Sequence, residues 1–212
     1  MLALHGFDAY GLEISDTAVK EAEKYASEEM AKPSAYHFGS EERPPHTRGS
    51  VTFFQGDFFA RNWDFKGAID ESTKFDLVYD YTVSLTIHAC DEFKVADVLA
   101  QFLCALHPEQ RKQWAASMAR VTKSEGLLIC LEFPLYKDPK LPGPPWGLKG
   151  IHWNLLAEGG DGIITEEVGE DGKEKKTANS QTGDFRRVLY VKPARSYEVA
   201  KGTDMISVYA RK

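Results

Sequence analysis

The sequence predicts an α/β fold built on a mostly parallel sheet that closes with a C-terminal antiparallel hairpin. Three observations carry that prediction. Short apolar runs alternate with helical patterns along most of the 212 residues, the spacing of parallel strands joined by crossover helices. Residues 126–133, Gly-Leu-Leu-Ile-Cys-Leu-Glu-Phe, form a near-continuous apolar run, as a strand buried on both faces would. Two late strand patterns, 185–191 and 196–210, follow one another with no helical pattern between them, so they return as an antiparallel edge of the sheet.

Residues 2–5 read as the last turn of a helix stopped by Gly6. Residues 9–14 form the first strand. A helix follows over 16–30, capped by Ser15 or Asp16, with Ala18, Ala22, Tyr25 and Ala26 as a small apolar face. Pro, Gly, His and charged residues crowd 31–50, which makes it a surface loop. The second strand starts at Val51 and runs into Gln55-Gly-Asp57-Phe-Phe. The third, 74–81, ends on Asp80-Tyr81. Helical patterns cover 91–106 and 108–121, the second with Pro108 in its first turn. A Pro- and Gly-rich loop over 134–150 leads to a short helix, 151–158. Residues 159–183 are polar, acidic and glycine-rich, and are expected to form a flexible loop or long hairpin. Its Asp161-Gly and Asp171-Gly pairs look like turns without the ligand ladder of a calcium loop, so no metal is assigned.

Composition narrows the function classes. A formal charge of −6 argues against nucleic acid, because no basic stripe is there to neutralise phosphates. No apolar run reaches the roughly 18 residues of a membrane span, and Met1-Leu-Ala-Leu is too short for a secretory signal. Cys90, Cys104 and Cys130 are odd in number and set in apolar company, so buried thiols in a reducing, cytoplasmic compartment are expected. The length suits one domain over residues 1–212.

Three strand ends offer polar groups in turn: Glu13, then Gly56-Asp57-Phe58, then Asp80-Tyr81. Ligands of open α/β sheets sit outside the carboxyl ends of the strands, so these groups can line one crevice. A carboxylate for ribose hydroxyls, a second for an amino group and an aromatic to stack on a base suit an adenosine. Read alone, Glu13 is equally an exposed acid at a strand end, Tyr81 a core aromatic, and Arg111 a surface arginine on the first turns of a helix. Trp146 and Trp153 either roof an apolar pocket or pin a loop. His37, His46, His107 and His152 read as loop, cap or core histidines, and neither Cys104 nor Cys130 has a histidine in a recognisable arrangement. No catalytic base or nucleophile is assigned.

Seven stretches then resemble one family. They are Tyr10-Gly-Leu-Glu-Ile-Ser15, Gly56-Asp-Phe-Phe59, Phe75-Asp-Leu-Val-Tyr-Asp-Tyr-Thr82, Phe102-Leu-Cys-Ala-Leu-His-Pro-Glu-Gln-Arg111, Leu131-Glu-Phe-Pro-Leu135, Gly143-Pro-Pro-Trp146 and Gly202-Thr-Asp-Met-Ile-Ser-Val208. Together, and in this order, they resemble the thiol and halide methyltransferases of the thiopurine methyltransferase-like group, plant and fungal members most of all. The resemblance implies a Rossmann-like class I methyltransferase fold, S-adenosyl-L-methionine as cofactor, and methyl transfer to a small thiol, or to halide or thiocyanate. It implies roles by position. Glu13 would hold the ribose, with Ile14 also on the cofactor, and Asp57 and Phe58 would meet the adenine. Asp80 and Tyr81 would lie where the methionine part meets the acceptor. Arg111 would reach the cofactor carboxylate or an anionic acceptor.

Two departures from the family pattern carry expectations of their own. Family members begin with a Trp-containing segment, then the strand and glycine-rich loop that hold the methionine end of the cofactor, and residues 1–212 contain neither. In such a fold that strand is central, so two sheet fragments and an impaired cofactor grip are expected; a non-catalytic remnant or binding module on the same fold is the alternative. The second departure is residues 83–101, an insertion between Thr82 and Phe102 that suggests a retained intron. Read as structure, it extends a helix with Asp91 as cap and Phe93, Ala96, Val98, Leu99, Leu103 and Leu106 as its apolar stripe.

Overall fold

In the computed structural model the described residues are 2–34, 48–60, 74–80, 102–164, 169–172, 182–196, 198 and 200–212. They fall into two units, the first holding residues 2–34 and 48–60 and the second everything described from residue 74 onward.

The first unit is a β–α–β element. A 3-10 turn, Leu2–His5, stops at Gly6, whose φ of 92° is the left-handed conformation glycine tolerates. Strand β1 (Ala9–Glu13) pairs in parallel with β2 (Val51–Gln55), in register from Ala9↔Val51 to Glu13↔Gln55. Asp8 sets that register at its start, because its Oδ1 accepts from the Ser50 N–H at 2.9 Å and the Ser50 hydroxyl at 2.7 Å. Helix α1 (Asp16–Ala31) starts at Ser15, the N-cap, whose Oγ accepts from the Ala18 N–H at 3.3 Å. Gly11 is required by its cross-strand neighbour: a Cβ there would meet Phe53 Cδ1 at 2.4 Å.

The second unit holds β3 (Phe75–Asp80), α2 (Phe102–Ala105), a 3-10 turn (Pro108–Gln110), α3 (Arg111–Val121) and β4 (Thr122–Glu132). Helix α4 (Ile151–Trp153) continues as a π-helical turn (Asn154–Glu158), and β5 (Phe185–Val191) and β6 (Met205–Arg211) complete the unit. The sheet order is β3-β4-β6-β5. β3 runs parallel to β4, while β6 is antiparallel to both β4 and β5. Strands β3, β4 and β5 therefore share one direction, and the last two strands form the expected hairpin. The hairpin differs from expectation in one respect. The reversed strand lies inside the sheet and β5 takes the edge, because β6 is the more deeply buried of the two, with Ser207, Tyr209 and Ala210 inside.

Strand β4 also departs from its reading. It begins at Thr122, directly off α3, with the Thr122 hydroxyl donating to the Met118 carbonyl at 2.7 Å. Phe75 faces Thr122 and Leu77 faces Leu127, so three extra residues bulge out, with Glu125 at a φ of 61°. Its burial alternates. Gly126, Leu128, Cys130 and Glu132 are buried, while Leu127 is 37% exposed and Ile129 and Leu131 are half-buried. One face, rather than both, is fully in the core.

The remaining elements stay close to their sequence readings. The final strand starts at Met205 instead of Ser196, after a turn at Gly202 with φ 81°. The Asp161-Gly162 and Asp171-Gly172 pairs are turns, with glycine φ values of 79° and 70°. Among the described residues no helix is long and apolar enough to cross a membrane. Tyr81 and the insertion at 83–101 lie outside the described residues.

Candidate functional site

In the first unit the parallel register does the positioning. Glu13 and Gln55 are the last paired residues, and the Gly56 N–H donates to the Glu13 carbonyl at 2.9 Å as the chain leaves β2. Asp57 therefore follows directly at the strand end beside Glu13. Each carboxylate is aimed by its own chain: Glu13 Oε1 accepts from the Ser15 N–H at 2.9 Å, and Asp57 Oδ1 from the Phe59 N–H at 2.8 Å. Phe58 packs edge-to-face on Phe59 with ring centroids 5.4 Å apart. Ile14 is 67% exposed, and its carbonyl accepts from the Gln55 side-chain amide. Two acceptor-rich side chains at adjacent carboxyl ends of parallel strands suit a ligand that offers hydroxyl and amino donors.

The second unit gathers buried polar groups. Asp80 ends β3 directly opposite Cys130 on β4, and His152 comes from α4. One ligand-type atom from each lies within 4.8 Å of the other two. Burial pushes the Asp80 carboxyl up to about 7 and also raises the Cys130 thiol, with the nearby Asp80 and Glu132 adding to the second shift. Burial, then the Arg111 charge, lowers the His152 imidazole to about 3. Glu132 Oε1 stands 3.9 Å from His152 Nδ1, and neither atom has a hydrogen-bond partner. Burial pushes the Glu132 carboxyl up to about 7. At neutral pH the imidazole is uncharged, so this contact is no ion pair.

Arg111 corrects one alternative reading outright. It is not a surface arginine; it is 2% exposed. Its Nη1 donates to the Gly162 carbonyl at 2.9 Å, while Nε and Nη2 have no partner. The Asp161-Gly162 turn is built against it. A Cβ on Gly162 would meet Arg111 Cδ at 3.0 Å, and Asn154 Oδ1 anchors the turn by accepting from the Gly162 N–H at 2.8 Å. Burial lowers the guanidinium to about 10, so it remains a cation at neutral pH. One turn along α3, the Trp114 indole N–H is also buried without a partner, and its ring meets His152 edge-on at 5.8 Å. Unsatisfied N–H groups around a buried cation suit an anion.

Of the residues singled out from sequence, Glu13, Ile14, Asp57 and Phe58 share the first unit, and Asp80 and Arg111 share the second. Trp153 is 5% exposed with the Arg187 guanidinium 4.6 Å above its ring, and Trp146 packs edge-on against His107, so both serve packing. His152 and Glu132 are the residues that sequence reasoning passed over. A signal was there for Glu132, the one carboxylate in the apolar run 126–133.

No protein-family model matches the chain. Probable thiol methyltransferase 2 of Arabidopsis thaliana is 32% identical over 136 residues, covering 64% of this chain and 40% of that protein. Thiocyanate methyltransferase 1 of Brassica oleracea is 31% identical over 137 residues, with the same coverage. The chain thus spans about two fifths of the length of these relatives. Among solved structures, a SAM-dependent methyltransferase of Methanosarcina mazei is 15% identical, with a TM-score of 0.49 over 100% of this chain and 84% of that one.

Proposed function

We propose that this chain is part of an S-adenosyl-L-methionine-dependent methyltransferase acting on a small thiol, or on halide or thiocyanate. The observation that carries the reading is the pair Glu13 and Asp57 at adjacent parallel strand ends. Its support comes from sequence similarity to plant proteins named thiol and thiocyanate methyltransferases. Glu13 takes the ribose hydroxyls, with Ile14 beside it, and Asp57 and Phe58 take the adenine. Asp80 and Tyr81 serve the methionine and acceptor side. Arg111 offers its unpartnered N–H groups to the anionic acceptor or the cofactor carboxylate.

When bound, the cofactor would supply an activated sulfonium methyl for in-line transfer to the acceptor. The chain's own residues then have little covalent work. They hold the two reactants together, exclude water and favour the anionic acceptor. A free thiol has a pKa of about 8.5, so a buried cation such as Arg111 is enough to bias it toward thiolate. The acceptor is a small molecule, and the setting is the cytoplasm, in keeping with the buried thiol of Cys130.

Calorimetric titration of the chain with S-adenosylhomocysteine, and with NAD as comparator, tests the reading. Saturable binding of the S-adenosyl ligand alone is expected. Glu13→Ala should weaken it roughly 10–100-fold, the loss of one charge-assisted hydrogen bond of about 1.5–3 kcal/mol. Micromolar affinity would remove the expectation of an impaired grip while supporting the cofactor. Absence of S-adenosyl binding would overturn the enzymatic reading in favour of a non-catalytic module.

A further inference from the structure

We infer that Asp80, Cys130 and His152 form a binding site for a zinc-class divalent cation, with Glu132 holding His152 from behind. The three side chains come from β3, β4 and α4 and offer an oxygen, a sulfur and a nitrogen within 4.8 Å of one another. Around one tetrahedral zinc, with bonds of about 2.0–2.3 Å, such atoms sit roughly 3.3–3.8 Å apart, so the cluster needs to draw in by about 1 Å. All three are buried: Cys130 is 0% exposed, His152 1% and Asp80 7%. The sheet register makes the site rigid on two sides, since Asp80 and Cys130 are direct cross-strand partners.

The approach of Glu132 to His152 is an independent observation. A metal-bound histidine usually gives its other ring N–H to a carboxylate, which fixes the tautomer and the ring. Here His152 Nδ1 faces Glu132 Oε1 at 3.9 Å, and both atoms are buried and unpartnered. With Nδ1 turned to Glu132, Nε2 is the nitrogen left for the cation. Ligation supplies the proton arrangement these two atoms lack, with Nδ1–H donating to the Glu132 carboxylate. Glu132 reaches that place because it is two residues from Cys130 on the same buried face of β4.

Charge and softness select the ion. Ionised Asp80 and Cys130 with a neutral imidazole carry −2, which a divalent cation cancels at a site buried from water. A thiolate with an imidazole selects zinc over magnesium or calcium, which prefer oxygen. Three protein ligands leave a fourth coordination place. The site shares Asp80 with the proposed methyltransferase site, so its test reads metal binding and not methyl transfer.

The experiment uses the full chain, stripped with chelator and titrated with cobalt(II), whose spectrum reports a metal–thiolate bond directly. One cobalt per chain with a thiolate-to-metal charge-transfer band, displaced by zinc, is the expected result. The band should persist in the double variant Cys90→Ala, Cys104→Ala, where Cys130 is the only remaining thiol. Glu132→Gln should weaken zinc binding by about 10–100-fold while the band remains. No charge-transfer band in the folded parent chain overturns the site. So does a band lost in the double variant while circular dichroism shows it folded. If the double variant fails to fold, Cys130→Ser in the parent decides: a retained band overturns the site, a lost one supports it.

Discussion

Two strand-end acids show how differently the units treat the same chemical group. Glu13 ends β1 in a half-buried position, where the Ser15 N–H hydrogen-bonds its carboxylate. Asp80 ends β3 at 7% exposure, facing Cys130, and burial drives its carboxyl up to about 7. The cores differ in the same direction. Described buried apolar residues in the first unit are Ala3, Leu4, Ala18, Val19 and Phe54, whereas the second buries Leu103, Trp114, Leu128 and Tyr209 with no exposed surface at all. A strand end near water makes a standing acceptor for hydroxyl and amino donors. The same end inside a dense core makes a group whose proton is costly to remove. The first unit, with less apolar burial, is expected to exchange its amide hydrogens faster than the second.

The largest expected effect belongs to the dense core. Trp114→Ala should cost about 3–5 kcal/mol by denaturant titration, lowering protection in α3 and β4 while β1 and β2 keep theirs. Equal loss of protection in both units would break the contrast.

The next effect is a pH dependence. A carboxyl whose folded value is raised keeps a proton that the unfolded chain has released, so its stabilisation is present at low pH and is lost as pH rises through the folded value. Asp80 contributes from 3.8 to about 7 and Glu132 from 4.5 to about 7. His152 opposes them: unfolded it is charged below 6.5, folded it stays neutral down to about 3, so it gains as pH rises. In the chelator-stripped chain, two protons against one leave the second unit less stable as pH rises from 4.5 to 6.5, by roughly 1 kcal/mol per pH unit. Asp80→Asn should flatten that slope in pH-dependent melting. An unchanged slope would mean that burial does not hold the Asp80 proton.

Smaller effects probe the first unit. Gly11→Ala should cost about 1–3 kcal/mol, because the new methyl displaces the Phe53 ring. A melt unchanged by it would show that the ring moves freely. Ser15→Ala removes the cap of α1 and should cost about 1 kcal/mol, with lost helicity by circular dichroism as the readout.

Much of the fold was legible because its signals are local. Helix α1 ends within a residue of its expected bound, β5 runs over 185–191 as read, and Pro108 opens the turn before α3. Turn glycines and caps act over three or four residues, which a sequence shows directly. Of the site, Glu13 and Asp57 were legible as strand-end acids, since a strand and the residue after it lie next to each other in sequence. The burial of Arg111 was not, because it depends on Gly162, 51 residues away.

What the chain carries in its order of residues is the β–α–β rhythm, the acids at the strand ends and the C-terminal hairpin. What packing alone decided is that β6 sits between β4 and β5, and that Asp80, Cys130 and His152 meet. The physical reason is range: periodicity and capping are set by neighbours along the chain. The order of strands, and the charge state of a buried acid, are set by whatever the rest of the chain folds against it.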